Sequence, residues 1–223
     1  MIVKVCGLRA PENIAAVANV PGVDWIGLIF HPSSPRVMDR TAEQLARTAG
    51  LRPKGRTGER TVKRVGVFVN QPVEAVVTTA AVYGLDAVQL HGVETPAYCA
   101  LLAACLPVIK AFRVNAEFDM AQTDAYAPYC RHFLFDAAGP APGGNGTAFE
   151  WDQLASYSGK TPFLLAGGLH PESLADLDRF QHPAWAGIDL NSGFELAPGW
   201  KDVAALKTFV HGFREGHHQM VTQ

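Results

Sequence analysis

Apolar, β-branched runs of strand length alternate with helical patterns from one end of the chain to the other. Eight runs stand out: Ile2–Cys6, Trp25–Phe30, Arg64–Val69, Ala87–His91, Val108–Val114, His132–Asp136, Phe163–Ala166 and Gly187–Leu190. The stretches between them carry helix starts with a physical reason. In Gln71–Tyr83, Pro72 lies in the first turn; in Thr95–Leu106, Thr95 caps and Pro96 takes the first helical position, where a missing N–H costs nothing. Such alternation marks repeated βα units around a parallel sheet. Eight units in 223 residues predict an α/β fold of one domain, residues 1–223, closed into a (β/α)8 TIM barrel. An open doubly wound sheet is the alternative that the same alternation allows.

Three stretches break the rhythm. Leu51–Thr61 (LRPKGRTGERT) follows a helix and precedes a strand, so in a barrel it is a loop insertion on the stability face. Ala137–Ala148 (AAGPAPGGNGTA) follows the sixth strand and falls on the catalytic face. The polar residues 212–223 are expected to fray.

Composition narrows the class. With 48% hydrophobic and 18% charged residues, and no apolar run near the roughly 20 residues that span a bilayer, the chain reads as soluble and globular. A formal net charge of -2 provides no general field for nucleic acid or anionic membrane, so any anion site must be local. The N-terminus enters an apolar strand without the features of a secretory signal, and a cytoplasmic location is expected. The four cysteines show no metal-ligand spacing, so no metal site is expected. Cys99 and Cys105 read as small core residues of one helical segment.

In a parallel barrel the reactive groups come from the C-terminal ends of the strands. Here those ends read KVCG, LFDA and QLHG for strands one, six and four, and LAGG and DLNSG for strands seven and eight. Strand alternation puts Cys6 on one face with Lys4, and Asp136 with Leu134, leaving Val3, Val5, Phe133 and Phe135 for the helices. A thiol and a carboxyl then point together into the barrel mouth. A buried cysteine is also an ordinary small apolar residue, and a strand-end carboxylate an ordinary cap. His91 reads equally as a ligand contact or a satisfied structural histidine. Gly143–Gly146, Gly167–Gly168 and Ser192–Gly193 let backbone N–H groups approach an anion, and loops seven and eight are the usual phosphate position in barrels. Arg36 suits a carboxylate, or is a solvated surface charge.

The motifs KVCGLR, GLIFHPSSPR, VGVFVN, QLHG, KAFRV, the strand-six Asp before GGNGTAFEW, LAGGLHPESL and DLNSGFELAPGWKD run in order from Lys4 to Asp202. Together they resemble the phosphoribosylanthranilate isomerase family of tryptophan biosynthesis. The resemblance implies an Amadori rearrangement of one small-molecule substrate, N-(5'-phosphoribosyl)anthranilate, without metal or organic cofactor. It implies Cys6 as the base at C2' and Asp136 as the acid at the ring oxygen. Arg36 matches the contact to the anthranilate carboxylate, and His91 and Asp189 match polar positions near the substrate. Gly144, Asn145, Gly146, Gly167, Gly168, Ser192 and Gly193 match the phosphate loops. The chain departs from the family where Thr147 follows GGNG, the place of a common lysine, and where Asn191 precedes Ser192.

The residues by themselves agree with this chemistry, since opening a furanose needs an acid at the ring oxygen and forming an enolamine needs a base on the next carbon. Another phosphosugar isomerase or epimerase on this fold, a non-catalytic phospholigand-binding barrel, and a covalent Cys6 nucleophile paired with His91 are the competing readings. With reference values of about 8.5 for Cys and about 3.9 for Asp, both groups start in the wrong protonation state at neutrality. Burial is therefore expected to raise Asp136, and Lys4 or the strand-eight loop to favour the Cys6 thiolate.

Overall fold

The computed structural model of the chain describes residues 1–38, 62–137 and 151–219. Eight parallel strands pair in sequence order and close on themselves: β1 (Ile2–Val5), β2 (Trp25–Ile29), β3 (Lys63–Phe68), β4 (Ala87–Leu90), β5 (Val108–Val114), β6 (His132–Ala137), β7 (Phe163–Ala166) and β8 (Trp185–Leu190). β8 closes the ring against β1, with Lys4 opposite Asp189. The expected closed barrel is observed, and the open sheet is not. β5 and β7 have the expected bounds, and the other strands differ from expectation by one or two residues at one end or both. β1 stops at Val5, yet the Cys6 N–H still donates to Leu190 O at 2.8 Å, so Cys6 stays tied to the rim.

Around the barrel lie α1 (Pro11–Ala18), α2 (Val73–Tyr83), α3 (Pro96–Ala103), α4 (Leu174–Arg179) and α5 (Val203–Gln219). Thr95 caps α3 as expected, its hydroxyl accepting from the Tyr98 N–H at 3.2 Å. Cys105 lies beyond the end of α3 and is exposed, so the core position expected for it holds only for Cys99. The segment 212–219, read from its polarity as a fraying tail, continues α5, with Phe213 fully buried. The insertion at 51–61 lies outside the described residues. One element had no forecast: after β8 the chain forms an antiparallel hairpin of β9 (Glu195–Ala197) and β10 (Trp200–Lys201).

Side chains divide as strand alternation requires. Val3, Val5, Phe133, Phe135 and Phe163 join the large cluster between sheet and helices, while Trp25, Val65, Ile109, Leu134 and Leu164 form a smaller one inside the barrel. Each fully buried phenylalanine contributes about 1.5–3 kcal/mol of transfer free energy. Behind β6 the Phe135 ring lies 5.0 Å from Phe163 and 5.2 Å from Tyr157, which fixes the strand that presents Asp136. Inside the barrel, buried Lys4, Gln89 and Asp189 lie on β1, β4 and β8, and there the interior is polar.

Candidate active site

Cys6 follows β1, and its thiol turns toward β2. Gly27 leaves the room for it, since a Cβ there would lie 2.7 Å from the Cys6 sulfur. Two residues earlier, fully buried Lys4 donates to Asp189 Oδ2 at 2.8 Å. Burial opposes the ammonium charge, but Asp189 and Cys6 outweigh it and hold Lys4 above its ordinary range. On Cys6 the balance is reversed. Burial pushes the thiol above its ordinary value, with Lys4 and Lys201 pulling down and Asp189 pushing up. The expected help from Lys4 is present, but it is overridden, because the same lysine is shared with a carboxylate and the thiol is only 4% exposed.

Asp136, near the end of β6, is more open, with its side chain 33% exposed. The burial expected for it is only partial. His91 Nε2 lies 3.2 Å from Asp136 Oδ2, and Gln89 Nε2 lies 2.9 Å from His91 Nδ1. An amide N–H only donates, so Nδ1 accepts and the ring proton on Nε2 faces the carboxylate. Gly167 supports the other side of Asp136. Its φ of +84° suits glycine alone, and a Cβ would lie 2.8 Å from Asp136 Oδ1 and 2.4 Å from Ala137 O. Asp189, paired with Lys4, also feels the charges of His91 and Asp136, and it acts in turn on Cys6.

The loops after β7 and β8 lie against each other. A Cβ at Gly193 would come 2.1 Å from Leu169 O and 3.0 Å from His170 Cα, and Ser192–Phe194 forms a 3-10 turn. Gly144, Asn145 and Gly146 lie outside the described residues. Arg36 departs from one of its two expected states. It is not a solvated charge: its guanidinium is engaged by Glu195, with Nη2 to Oε2 at 2.6 Å.

Residues 3–212 match the family model of N-(5'-phosphoribosyl)anthranilate (PRA) isomerase. The chain belongs to this family. An N-(5'-phosphoribosyl)anthranilate isomerase of Phocaeicola vulgatus is 46% identical to the chain over 216 residues, covering 96% of this chain and 98% of its own length. The crystal structure of phosphoribosyl anthranilate isomerase from Thermotoga maritima superposes with a TM-score of 0.80 at 31% identity, over 96% of this chain and all of that one. A phosphoribosyl anthranilate isomerase solved with reduced 1-(o-carboxyphenylamino)-1-deoxyribulose 5-phosphate superposes with a TM-score of 0.77 at 29% identity, over 96% of this chain and all of that one.

Membership in the phosphoribosylanthranilate isomerase family covers the whole barrel, and the geometry adds residues that the sequence reading left unassigned. In the sequence Gln89 carries the same signal as Asp136, a polar residue inside an apolar strand whose burial is costly unless it is paired. Glu195 and Lys201 carried no local signal. They meet across the β9–β10 hairpin, where Lys201 Nζ donates to Glu195 Oε1 at 2.7 Å.

Proposed function

We propose that the barrel mouth converts N-(5'-phosphoribosyl)anthranilate to 1-(2-carboxyphenylamino)-1-deoxyribulose 5-phosphate, the isomerisation of tryptophan biosynthesis, by general acid–base catalysis. Asp136 gives its proton to the furanose ring oxygen while the anilino nitrogen lone pair drives the C1'–O bond open, forming an iminium. Cys6, as thiolate, then takes the C2' proton, and the C2'–H electrons flow to nitrogen to give the enolamine, which tautomerises to the ketone. His91 Nε2–H holds the Asp136 carboxylate left after proton donation, a role supported by its 3.2 Å contact. Asp189 holds Lys4 beside Cys6, and the Lys4 ammonium favours the thiolate against the burial that opposes it.

Arg36 takes the anthranilate carboxylate in this reading. Backbone N–H groups of Gly144, Asn145, Gly146, Gly167, Gly168, Ser192 and Gly193 take the phosphate, as helix-start and nest geometries favour anions. The four cysteines are unbridged, which suits a reducing compartment, and we assign the enzyme to the cytoplasm. Among the described residues no helix is long and apolar enough to cross a membrane.

The observation that carries this reading is that the closed barrel brings Cys6, after β1 beside the Lys4–Asp189 pair, and Asp136, near the end of β6 against His91, to the same strand-end rim. The test follows the loss of phosphoribosylanthranilate fluorescence with purified enzyme. Turnover is expected in the wild type, with losses of about 10²–10⁴-fold in Cys6→Ala and in Asp136→Asn. Full turnover in either variant removes that residue from its role, and tight ligand binding by a wild type without turnover makes the barrel a binding module.

A further inference from the structure

Arg36 reaches the site along a narrow track. Its Cδ passes so close to the rim that a Cβ on Gly7 would lie 2.7 Å from it, and a Cβ on Gly199 would lie 3.8 Å from the Arg36 Cα. The guanidinium head is then held on one edge only. Nε donates to Glu195 Oε1 at 2.8 Å and to Oε2 at 3.0 Å, and Nη2 donates to Oε2 at 2.6 Å. No hydrogen bond or ion pair occupies Nη1 among the described residues. The edge formed by Nη1 and the outer N–H of Nη2 is the one whose two parallel donors match an incoming carboxylate.

Glu195 is itself anchored. Its Oε1 accepts from Lys201 Nζ at 2.7 Å and from the Gly199 N–H at 3.0 Å. Lys201, 1% exposed, also donates to Asn191 Oδ1 at 2.7 Å and to Asn191 O at 3.1 Å. The backbone of Lys201 is pinned in turn by Asn13, whose side chain accepts from its N–H at 2.8 Å and donates to its C=O at 3.0 Å. Burial would raise Glu195, but the hydrogen bonds from Arg36 and Lys201 outweigh it and hold the carboxyl below its ordinary value. A buried carboxylate with two cations and a backbone N–H is a fixed post rather than a mobile surface charge.

We infer that Glu195, seated on Lys201, is a positioning residue for substrate recognition: it takes the Nε–Nη2 edge of Arg36 and aims the remaining edge at the anthranilate carboxylate. The inference rests on the reading of Arg36 as the anthranilate contact. It makes Glu195 a determinant of specificity for a carboxylated aryl amine over a plain aryl amine, without contact to the reacting carbons. The Lys201–Asn191 link ties this post to the residue before Ser192, so the aryl and phosphate ends share one frame.

The test compares wild type, Glu195→Ala, Glu195→Gln and Arg36→Met in calorimetric binding of two ligands, reduced 1-(2-carboxyphenylamino)-1-deoxyribulose 5-phosphate and its analogue without the carboxylate. For Glu195→Ala, affinity for the carboxylated ligand is expected to fall on the order of tenfold while the other ligand changes less than about twofold, because an unaimed guanidinium loses bidentate geometry. In turnover, KM for phosphoribosylanthranilate rises by the same factor and kcat stays within about threefold. Equal losses for both ligands make Glu195 merely structural, and tighter binding of the carboxylated ligand makes it a competitor for Arg36; either overturns the inference. If Glu195→Ala does not fold, Glu195→Gln, which keeps the volume, decides the same comparison. Arg36→Met separates the two levels: when it discriminates between the ligands and the Glu195 variants do not, only the inference fails. When Arg36→Met does not discriminate, the anthranilate assignment fails with it.

Discussion

The two ends of the proposed acid–base pair are built differently. Cys6 is almost sealed, packed over Gly27 and beside a buried Lys4–Asp189 ion pair. Asp136 is a third exposed and held by His91, itself held by Gln89. The base therefore has its electrostatic surroundings installed by the fold before any ligand arrives, whereas the acid borders the open side and meets its final surroundings when substrate fills it. Burial acts on the two in opposite senses for catalysis. A sealed thiol resists becoming the thiolate that removes a proton, while a sealed carboxyl would keep the proton it must donate.

The sharpest way to break this contrast is Lys4→Met. Removing one member of a buried ion pair costs about 3–5 kcal/mol of stability, because Asp189 is left uncompensated, and thermal denaturation measures it. The sign on activity follows from the thiol. Burial already raises Cys6 and Lys4 opposes it, so loss of Lys4 raises it further and moves the ascending limb of kcat/KM to higher pH. Activity near neutrality should fall on the order of 100-fold and partly recover as pH rises. An unshifted limb in a folded variant would detach Lys4 from the base. The double variant Lys4→Met/Asp189→Leu should regain much of the stability without the activity.

On the acid side, Gly167→Ala brings a methyl against Asp136 Oδ1 and Ala137 O in a left-handed backbone position. Turnover is expected to drop about 10-fold to 100-fold from misplacement of the acid, with the ascending limb unchanged. A shifted ascending limb would mean that the two ends are coupled more tightly than this comparison holds. Gln89→Leu removes the donor to His91 Nδ1 and releases its tautomer; a loss of roughly three- to tenfold in kcat is expected, with the ascending limb of the pH profile unchanged. The smallest effect is predicted for shortening Leu51–Thr61, which we propose lies away from the catalytic face: kcat/KM should stay within about threefold. A large loss in a folded variant would put that segment at the site.

The repeat of strand and helix patterns made the barrel legible, because eight βα units in a short chain favour closure and alternation alone sorts Val3 and Phe133 outward from Lys4 and Leu134. Strand-end position likewise singled out Cys6, Asp136 and His91. Local pattern says which face a residue takes and how deep it lies along a strand. It says nothing about partners far away in the chain. Arg36 meets Glu195 across 159 residues and Lys4 meets Asp189 across 185, contacts that exist only because the ring closes. The direction of the Cys6 shift was decided at the same level: it depends on the balance between desolvation and a lysine shared with a carboxylate, and both come from packing in three dimensions. What the sequence by itself determined was the list of reactive groups and the face they take. The tertiary structure alone decided which of them are paired and which are sealed from water.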